Sequence, residues 1–217
     1  ASDNILSIDA SNNRVGIGTA SPSNNLDVTV TSAGGGIDLN ASGNHWIALH
    51  ADSDRSTAGN SLLQLRTYWD GTEVTSINML AGTDDTNKNE GEIAFYTSGG
   101  GSLGERMRID EDGNVGIGTA SPVLSGYGSN TKVLTVMDEG TSGDYAAVEI
   151  VGYRTGGDGV VGDLNFHNTN GSGTSQARVI VRGYRDGADD AIGLSFFTEA
   201  TGSGTTERLR IDSSGNV

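Results

Sequence analysis

Residues 105–122 read ERMRIDEDGNVGIGTASP. In the first six residues Met107 and Ile109 share one face, while Arg106, Arg108 and Asp110 share the other. That period of two marks a half-buried strand. The next letters, DEDGN at 110–114, are turn chemistry, with Gly113 supplying a positive φ. Beyond the turn, Val115, Ile117 and Thr119 point to one side, and Gly116 and Gly118 leave the other side bare. Alternate glycines in a strand mark the close approach of another backbone or a flat side chain. In a fibre that neighbour would be the next subunit around a threefold axis. Pro122, which lacks a donor, is expected to stop the ladder. The stretch therefore reads as strand, tight turn and glycine-bared strand.

It recurs. VGIGTASP stands at 15–22 and again at 115–122, so Gly16, Gly18 and Pro22 match Gly116, Gly118 and Pro122. The sequence ERLRIDSSGNV at 207–217 repeats 105–115 at eight of eleven positions, with Gly215 in the place of Gly113. A looser copy, ILSIDASNNRV, occupies 5–15 with one extra residue in the turn. The anchors Val15, Val115 and Val217 lie 100 and 102 residues apart. Such a period is the signature of repeat architecture. It divides the chain into 1–22, the end of a preceding repeat, 23–122, a first full unit, and 123–217, a second unit stopping before its GIGTASP strand. Val217 falls where the other copies continue, so the chain is expected to be a piece of something longer. Its start, Ala1-Ser2-Asp3-Asn4, does not read as a signal peptide.

A shorter repeat lies inside the second unit. GYRTGGDGVVGDLNF from Gly152 and GYRDGADDAIGLSFF from Gly183 are offset by 31 residues, as Tyr153 is from Tyr184 and Phe166 from Phe197. The first unit echoes it in Tyr68-Trp69-Asp70-Gly71 and in Glu92-Ile93-Ala94-Phe95. Alternation also predicts strands at 26–30, 46–50, 63–66, 93–95 and 179–181. Between them lie clusters of Gly, Ser, Thr, Asn and Asp. No stretch carries a 3.6-residue apolar stripe, so the fold class is all-β with little or no helix.

Composition limits how such strands are stabilised. Leu, Ile, Val and Phe total 46 of 217 residues, and glycine supplies 34. A single chain of this kind buries little large apolar surface against its conformational entropy. The natural resolution is that several chains share one core. A net charge of −15 argues against nucleic acid and against anionic membrane surfaces, and no run of 18 apolar residues offers a membrane span. The charge suits a protein that must stay soluble at high local concentration. With no cysteine, disulfides and thiolate metal sites are excluded.

The block at 106–122, with its relatives at 6–22 and 208–217, resembles the recurring element of phage tail-fibre and tailspike proteins. In many of those it precedes an intramolecular chaperone domain of the endosialidase type. The resemblance implies an intertwined homotrimer, a virion location and a part in host attachment. The architecture it suggests is a fibre of repetitive β modules, either a triple β-prism or β-helix or a set of trimerised β-sandwich units. Similar repeats occur in bacterial surface proteins, which leaves a cell-surface location open. The stretches between the blocks carry no such likeness.

Residues that might carry chemistry read mostly as structure. Gly16-Ile17-Gly18-Thr19 lacks the third glycine and the helix of a dinucleotide loop. Gly99-Gly100-Gly101-Ser102 lacks a P-loop lysine and reads as a flexible connector. In the DEDGN turn the acids change between copies while the turn persists. Residues 85–91, DTNKNEG from Asp85 to Gly91, alternate oxygen ligands as calcium loops do, although the glycine comes late and Lys88 sits inside. Asp84, Asp189 and Asp190 could serve a glycosidase, yet all occupy turns where Asp belongs, and His45, His50 and His167 are scattered. Trp46, Tyr68 and Trp69 fit two readings, packing at a strand edge or between chains, or stacking on glycans. Arg106, Arg108, Arg208 and Arg210 form one stripe near Glu105, Glu207 and Asp110, expected to set register. Asn-x-Ser at Asn40 and Asn170 matters only in a eukaryotic secretory pathway.

No cofactor, metal or catalytic residue is expected, and the chain is read as not an enzyme. The leading function is a homotrimeric fibre shaft that joins other virion proteins and spaces a part binding a host glycan or protein receptor. A bacterial adhesin of stacked β modules and a segment of a polysaccharide-degrading tailspike are the alternatives.

Overall fold

The computed structural model describes residues 6–31, 35–43, 46–122, 131–138, 145–151, 159–169, 175–187, 191–200 and 204–217. Among the described residues every regular element is a strand. The chain forms two compact units, 1–54 and 55–217. These boundaries differ from those of the sequence repeats at Pro22 and Pro122.

The first unit holds β1 (Leu6–Asp9), β2 (Arg14–Ile17) and β3 (Leu26–Val28), in that order. β1 and β2 are antiparallel, and β2 and β3 are parallel. The strand predicted at 46–50 is not formed, and that stretch runs without ladder bonds.

The second unit holds two sheets. One contains β4 (Ser61–Trp69), β5 (Thr72–Ala81), β6 (Gly91–Gly99), β7 (Ser102–Ile109), β8 (Val115–Ile117) and β9 (Leu134–Val136), side by side in chain order. The other contains β10 (Gly159–Thr169), β11 (Ser175–Arg185), β12 (Ile192–Thr198) and β13 (Thr206–Ile211). Among the described residues no strand of one sheet contacts a strand of the other. Each sheet is a single layer. The sandwich expected as one option is therefore not made by these two sheets.

Turn chemistry fixes the hairpins. Asp70 (φ 47°) and Gly71 (φ 78°) make the two-residue connection of β4 and β5, both with the positive φ of a type I′ turn. Gly100 (φ 61°) and Gly101 (φ 89°) do the same between β6 and β7. The run at 99–102 is thus a tight turn and not a flexible connector. At the DEDGN turn, Gly113 (φ 78°) donates its N–H to the Asp110 carbonyl at 2.9 Å. The Asp110 carboxylate accepts the Asn114 backbone and side-chain N–H groups at 2.7 and 3.0 Å. Asp212 holds Asn216 in the same way at 2.8 and 2.8 Å, around Gly215 (φ 84°). In the looser copy Asp9 accepts from Ser11 and Asn12, which lowers its carboxyl to about 2. The aspartate is a turn clamp in all three copies.

The glycine ribbon meets the chain itself. A Cβ on Gly16 or Gly116 would stand 2.6 or 2.5 Å from the carbonyl oxygen of Thr19 or Thr119. One on Gly18 or Gly118 would meet the Thr29 or Met137 carbonyl oxygen at 2.2 or 2.0 Å, and both glycines have positive φ. The neighbour expected from another subunit is the segment that follows in the same chain. Without side chains at these positions the chain folds back over its own strand. It places β3 parallel to β2 after a connection of only residues 18–25, shorter than the usual parallel crossover. The prolines do not end the strands, which stop at Ile17 and Ile117. Pro22 and Pro122 are buried under the glycines, and their carbonyls accept Arg14 Nη1 (2.8 Å) and the Thr135 hydroxyl.

Gly118→Ala should therefore destabilise the fold by about 1–3 kcal/mol, since both the backbone contact and the positive φ oppose a side chain. Gly204→Ala, where nothing lies within 4 Å, should stay within about 0.5 kcal/mol of the parent. Urea unfolding midpoints of the two variants check this, and equal shifts would refute the assignment.

Candidate functional site

Register sorts the side chains of each sheet by face. Across the six-stranded sheet one row runs Leu65, Ile77, Phe95, Met107, Ile117, Val136. The row beside it runs Leu63, Met79, Ile93, Ile109, Val115, Leu134. Every member is apolar. The row on the opposite face runs Gln64, Asn78, Ala94, Arg108, Gly116, Thr135. Exposure is inverted relative to an ordinary half-buried sheet: Leu134 is 64% exposed, while Ser76 and Asn78 on the polar face are buried.

The other sheets repeat the pattern. Leu164, Val181, Phe196 and Leu209 form an apolar row in the four-stranded sheet, backed by Asp163, Arg182, Ser195 and Arg210. Leu164 and Leu209 are exposed, whereas Ser195 is fully buried. In the three-stranded sheet Ile8, Val15 and Leu26 line up, with Ile8 and Leu26 exposed. The chain offers apolar faces, not a pocket, as its most extensive feature.

The polar face of the six-stranded sheet is a charge network. A bulge between Phe95 and Tyr96 brings Glu105 and Arg108 to one side although they are three residues apart. The Arg108 guanidinium donates twice to Glu105, at 2.8 and 2.7 Å, and pairs with Glu92. Glu105 also accepts the Tyr96 hydroxyl at 2.9 Å. Bidentate pairing of this kind is among the stronger polar contacts, and it drives the Arg108 pKa up, chiefly through the bonds to Glu105. Burial first, then interaction with Glu111, raises the Glu92 carboxyl to about 7 against the pull of Arg108.

The same bulge falls between Phe196 and Phe197, and Arg210 again grips Glu207 at 2.9 and 2.7 Å. Here Gly193 stands where the first sheet has Glu92. The Tyr184 ring takes that space, so that a Cβ on Gly193 would lie 2.4 Å from it. The Arg210 guanidinium stacks 4.2 Å above this ring. One arginine thus has an acid for a lid and its counterpart an aromatic ring. The stripe read from sequence as surface pairs holds for Arg210, half exposed, and not for Arg108, whose side chain is 13% exposed.

Trp46 and Trp69 are 83% and 79% exposed, and Tyr68 is 54% exposed. Trp69 stands at the tip of the β4–β5 hairpin. Tyr68 accepts from Arg66 at 3.1 Å and donates to Glu73 at 3.3 Å. Just before the candidate calcium loop at 85–91, Asp84 accepts the backbone N–H groups of Thr86 and Asn87 at 3.0 and 2.9 Å, and Glu90 within the loop accepts that of Asp84 at 2.9 Å. These acids close the loop on itself, and no group of three or more metal-binding side chains gathers among the described residues. Asp189, Asp190, His45, Asn170 and the motif at 152–154 lie outside the described residues. Sequence reasoning placed Glu92 and Tyr184 in repeats but gave neither a role beside an arginine. Aligning the two sheets on their bulges would have exposed the exchange of Glu92 for Gly193.

No family model matches the chain, and no curated protein matches it. Among solved structures it is similar to the carboxy-terminal domain of the bacteriophage T5 L-shaped tail fibre with its intramolecular chaperone domain. That likeness has a TM-score of 0.39 and 10% identity over 83% of this chain, and the chain spans 61% of the length of that one. A second structure of the T5 carboxy-terminal domain gives 0.36 and 11%, covering 83% of this chain and 88% of the other. At these values nothing about function is carried across.

The two arginines should respond differently to truncation. Arg108→Ala takes the bidentate partner from the half-buried Glu105 carboxylate, which keeps only the Tyr96 hydroxyl, and is expected to cost about 1–3 kcal/mol. Arg210→Ala, at a half-exposed pair screened by solvent, should cost less than Arg108→Ala. Denaturant melts of the two variants decide it, and a reversed order would overturn the reading of the network.

Proposed function

We propose that this chain is a shaft segment of a phage tail fibre, a homotrimer whose copies bury one another's apolar sheet faces. The supporting observation is the inversion of the sheets. Two complete apolar rows cross one face of the six-stranded sheet, with Leu65, Ile93, Ile117 and Leu134 exposed and the other members half-buried. Fully burying a side chain of this size is worth about 1.5–3 kcal/mol, and a single layer has no second layer to bury it. The repeat argues for the partner. An apolar face recurring in every unit needs a surface of matching period, and a copy of the same chain presents that period without further design. The glycine ribbon no longer supports a partner chain, because its neighbour is the chain's own backbone.

On this reading the chain does no chemistry. It supplies length and stiffness in the virion, joins other virion proteins at its ends, and holds a host-binding part at a distance. Trp46, Tyr68 and Trp69, exposed on the single chain, are its candidate contacts for a host glycan. Three copies would present each of them threefold, which raises avidity without new contacts.

The test is mass in solution. The purified 22.3-kDa chain should sediment as a particle of three copies. Ile117→Asp, in the apolar row, should abolish the trimer, whereas Gln64→Glu on the opposite face should leave it intact. A folded monomer with a cooperative melt in dilute buffer would overturn the proposal.

A further inference from the structure

We propose that Arg106 of each copy pairs with Asp138 of the next copy around the trimer axis, closing a ring of ion pairs that fixes the register of the chains. The inference rests on the trimeric reading above and deepens it by naming the contact that aligns the copies. Plain alternation puts Arg106 and Arg108 on one face, and the bulge beside Phe95 undoes it. The extra residue turns Arg106 to the face that carries Phe95 and Met107. There its guanidinium is held by Thr97, the next residue of β6 on that face. Nε donates to the Thr97 hydroxyl at 3.0 Å and Nη2 to the Thr97 carbonyl at 3.3 Å. The seat recurs in the four-stranded sheet, where Arg208 Nε donates to the Thr198 hydroxyl at 2.8 Å beside the equivalent bulge.

A guanidinium has more donors than Thr97 takes. Acidic residues outnumber Lys and Arg by 28 to 13, yet among the described residues no acid pairs with Arg106. Arg106, Gly118, Val136 and Asp138 line one open cleft of about 500 Å³. Glu105 borders it too, but its carboxylate is turned to Arg108 and Tyr96. Val136 belongs to an apolar row, so the cleft opens on the face that the copies bury in the proposed trimer. Arg106 and Asp138 are both exposed on the single chain. A carboxylate accepts from several donors, so Asp138 can take a guanidinium beside the contact it already has.

The repeat ties the two positions together. Leu6 pairs with Ile17 as Met107 pairs with Ile117, and Val28 lies beside Ile17 as Val136 lies beside Ile117. Those registers align Arg106 with Ile5 and Asp138 with Val30. Where one copy of the motif has a cation and an acid, the other has two aliphatic residues. A charge and a countercharge exchanged together point to each other as partners. Two different residues that meet from copy to copy make a heterologous contact, which a threefold axis closes into a ring. Such a contact selects the register, because a slipped neighbour sets like charges against each other.

Charge reversal tests the ring, read as sedimentation of the intact chain over a dilution series. Arg106→Asp and Asp138→Arg should each dissociate at protein concentrations about tenfold or more above the parent, since like charges then meet in every contact. The double variant, Arg106→Asp with Asp138→Arg, should assemble like the parent. Mixing the two single variants should recover most of the loss, because each contact between unlike chains again joins opposite charges. A pair made within one chain would respond to the double variant and not to mixing. Parent-like trimers of both single variants, or rescue by the double variant without rescue by mixing, would overturn the ring and leave the fibre reading standing. A monomeric parent would overturn both. The chain has no cysteine, so oxidising a mixture of Arg106→Cys and Asp138→Cys chains gives a second readout. A covalent dimer absent from either variant alone supports the ring. Its absence from a mixture that still forms trimers overturns the ring, even if the reversed charges prevent folding.

Discussion

Backbone pairing across each sheet is a stronger constraint here than the burial of any side chain. Once the ladders fix the register, a period of two sends every second residue to the same face. Leu65 to Val136 and Leu63 to Leu134 then fall into unbroken apolar rows. A shift of one residue in β5 or β7 would place Asn78 or Arg108 among them. The bulges after Phe95 and Phe196 belong to the same constraint. Each takes up an extra residue so that Met107 and Leu209 stay in their rows while Glu105 and Glu207 swing beside their arginines.

The repeat preserves geometry and exchanges chemistry. The space beside Arg108 holds an acid, and beside Arg210 an aromatic ring over a glycine. The hydrogen bond that ties loop to turn has its hydroxyl on the loop in one sheet, Thr83 donating to Glu111, and on the turn in the other, Ser213 donating to Asp186. Donor and acceptor have changed places while the distance is kept. What the sheet end requires is a hydrogen bond across that seam, not a particular pair of residues.

The strand character of the chain, its turns and its repeat were legible in the letters, because period two, Asp-Gly pairs and exact recurrence are local signals. The role of Gly118 was not. Alternate glycines announce that something comes close, but that the neighbour is a parallel return of the same chain depends on Pro22 and Thr29, or Pro122 and Met137, in three dimensions. The stretch at 46–50 alternates as well as any true strand and finds no ladder, since alternation describes a face and not a partner. Arg108 looked like Arg210 for the same reason. Their flanking residues match, and what separates them is Glu92, sixteen positions upstream and brought near only by the ladder.

The buried polar face carries the last step. Ser76 Oγ, Asn78 Oδ1 and Ser195 Oγ are buried without a hydrogen-bond partner among the described residues, at a cost of about 1–3 kcal/mol each where no compensation exists. Aliphatic residues at these positions would remove that cost. They would also give the sheet two apolar faces, and a repeated sheet sticky on both sides could stack in several ways. Faces built of Asn78 and Arg108 in one sheet, and of Arg182 and Ser195 in the other, can pack only against groups that answer their charges. Stability given up there leaves one face of each sheet fit for apolar contact, which is the usual trade between specificity and strength in designed assemblies. In the trimer proposed above, the polar rows would set the orientation of each copy and the apolar rows the strength of its attachment.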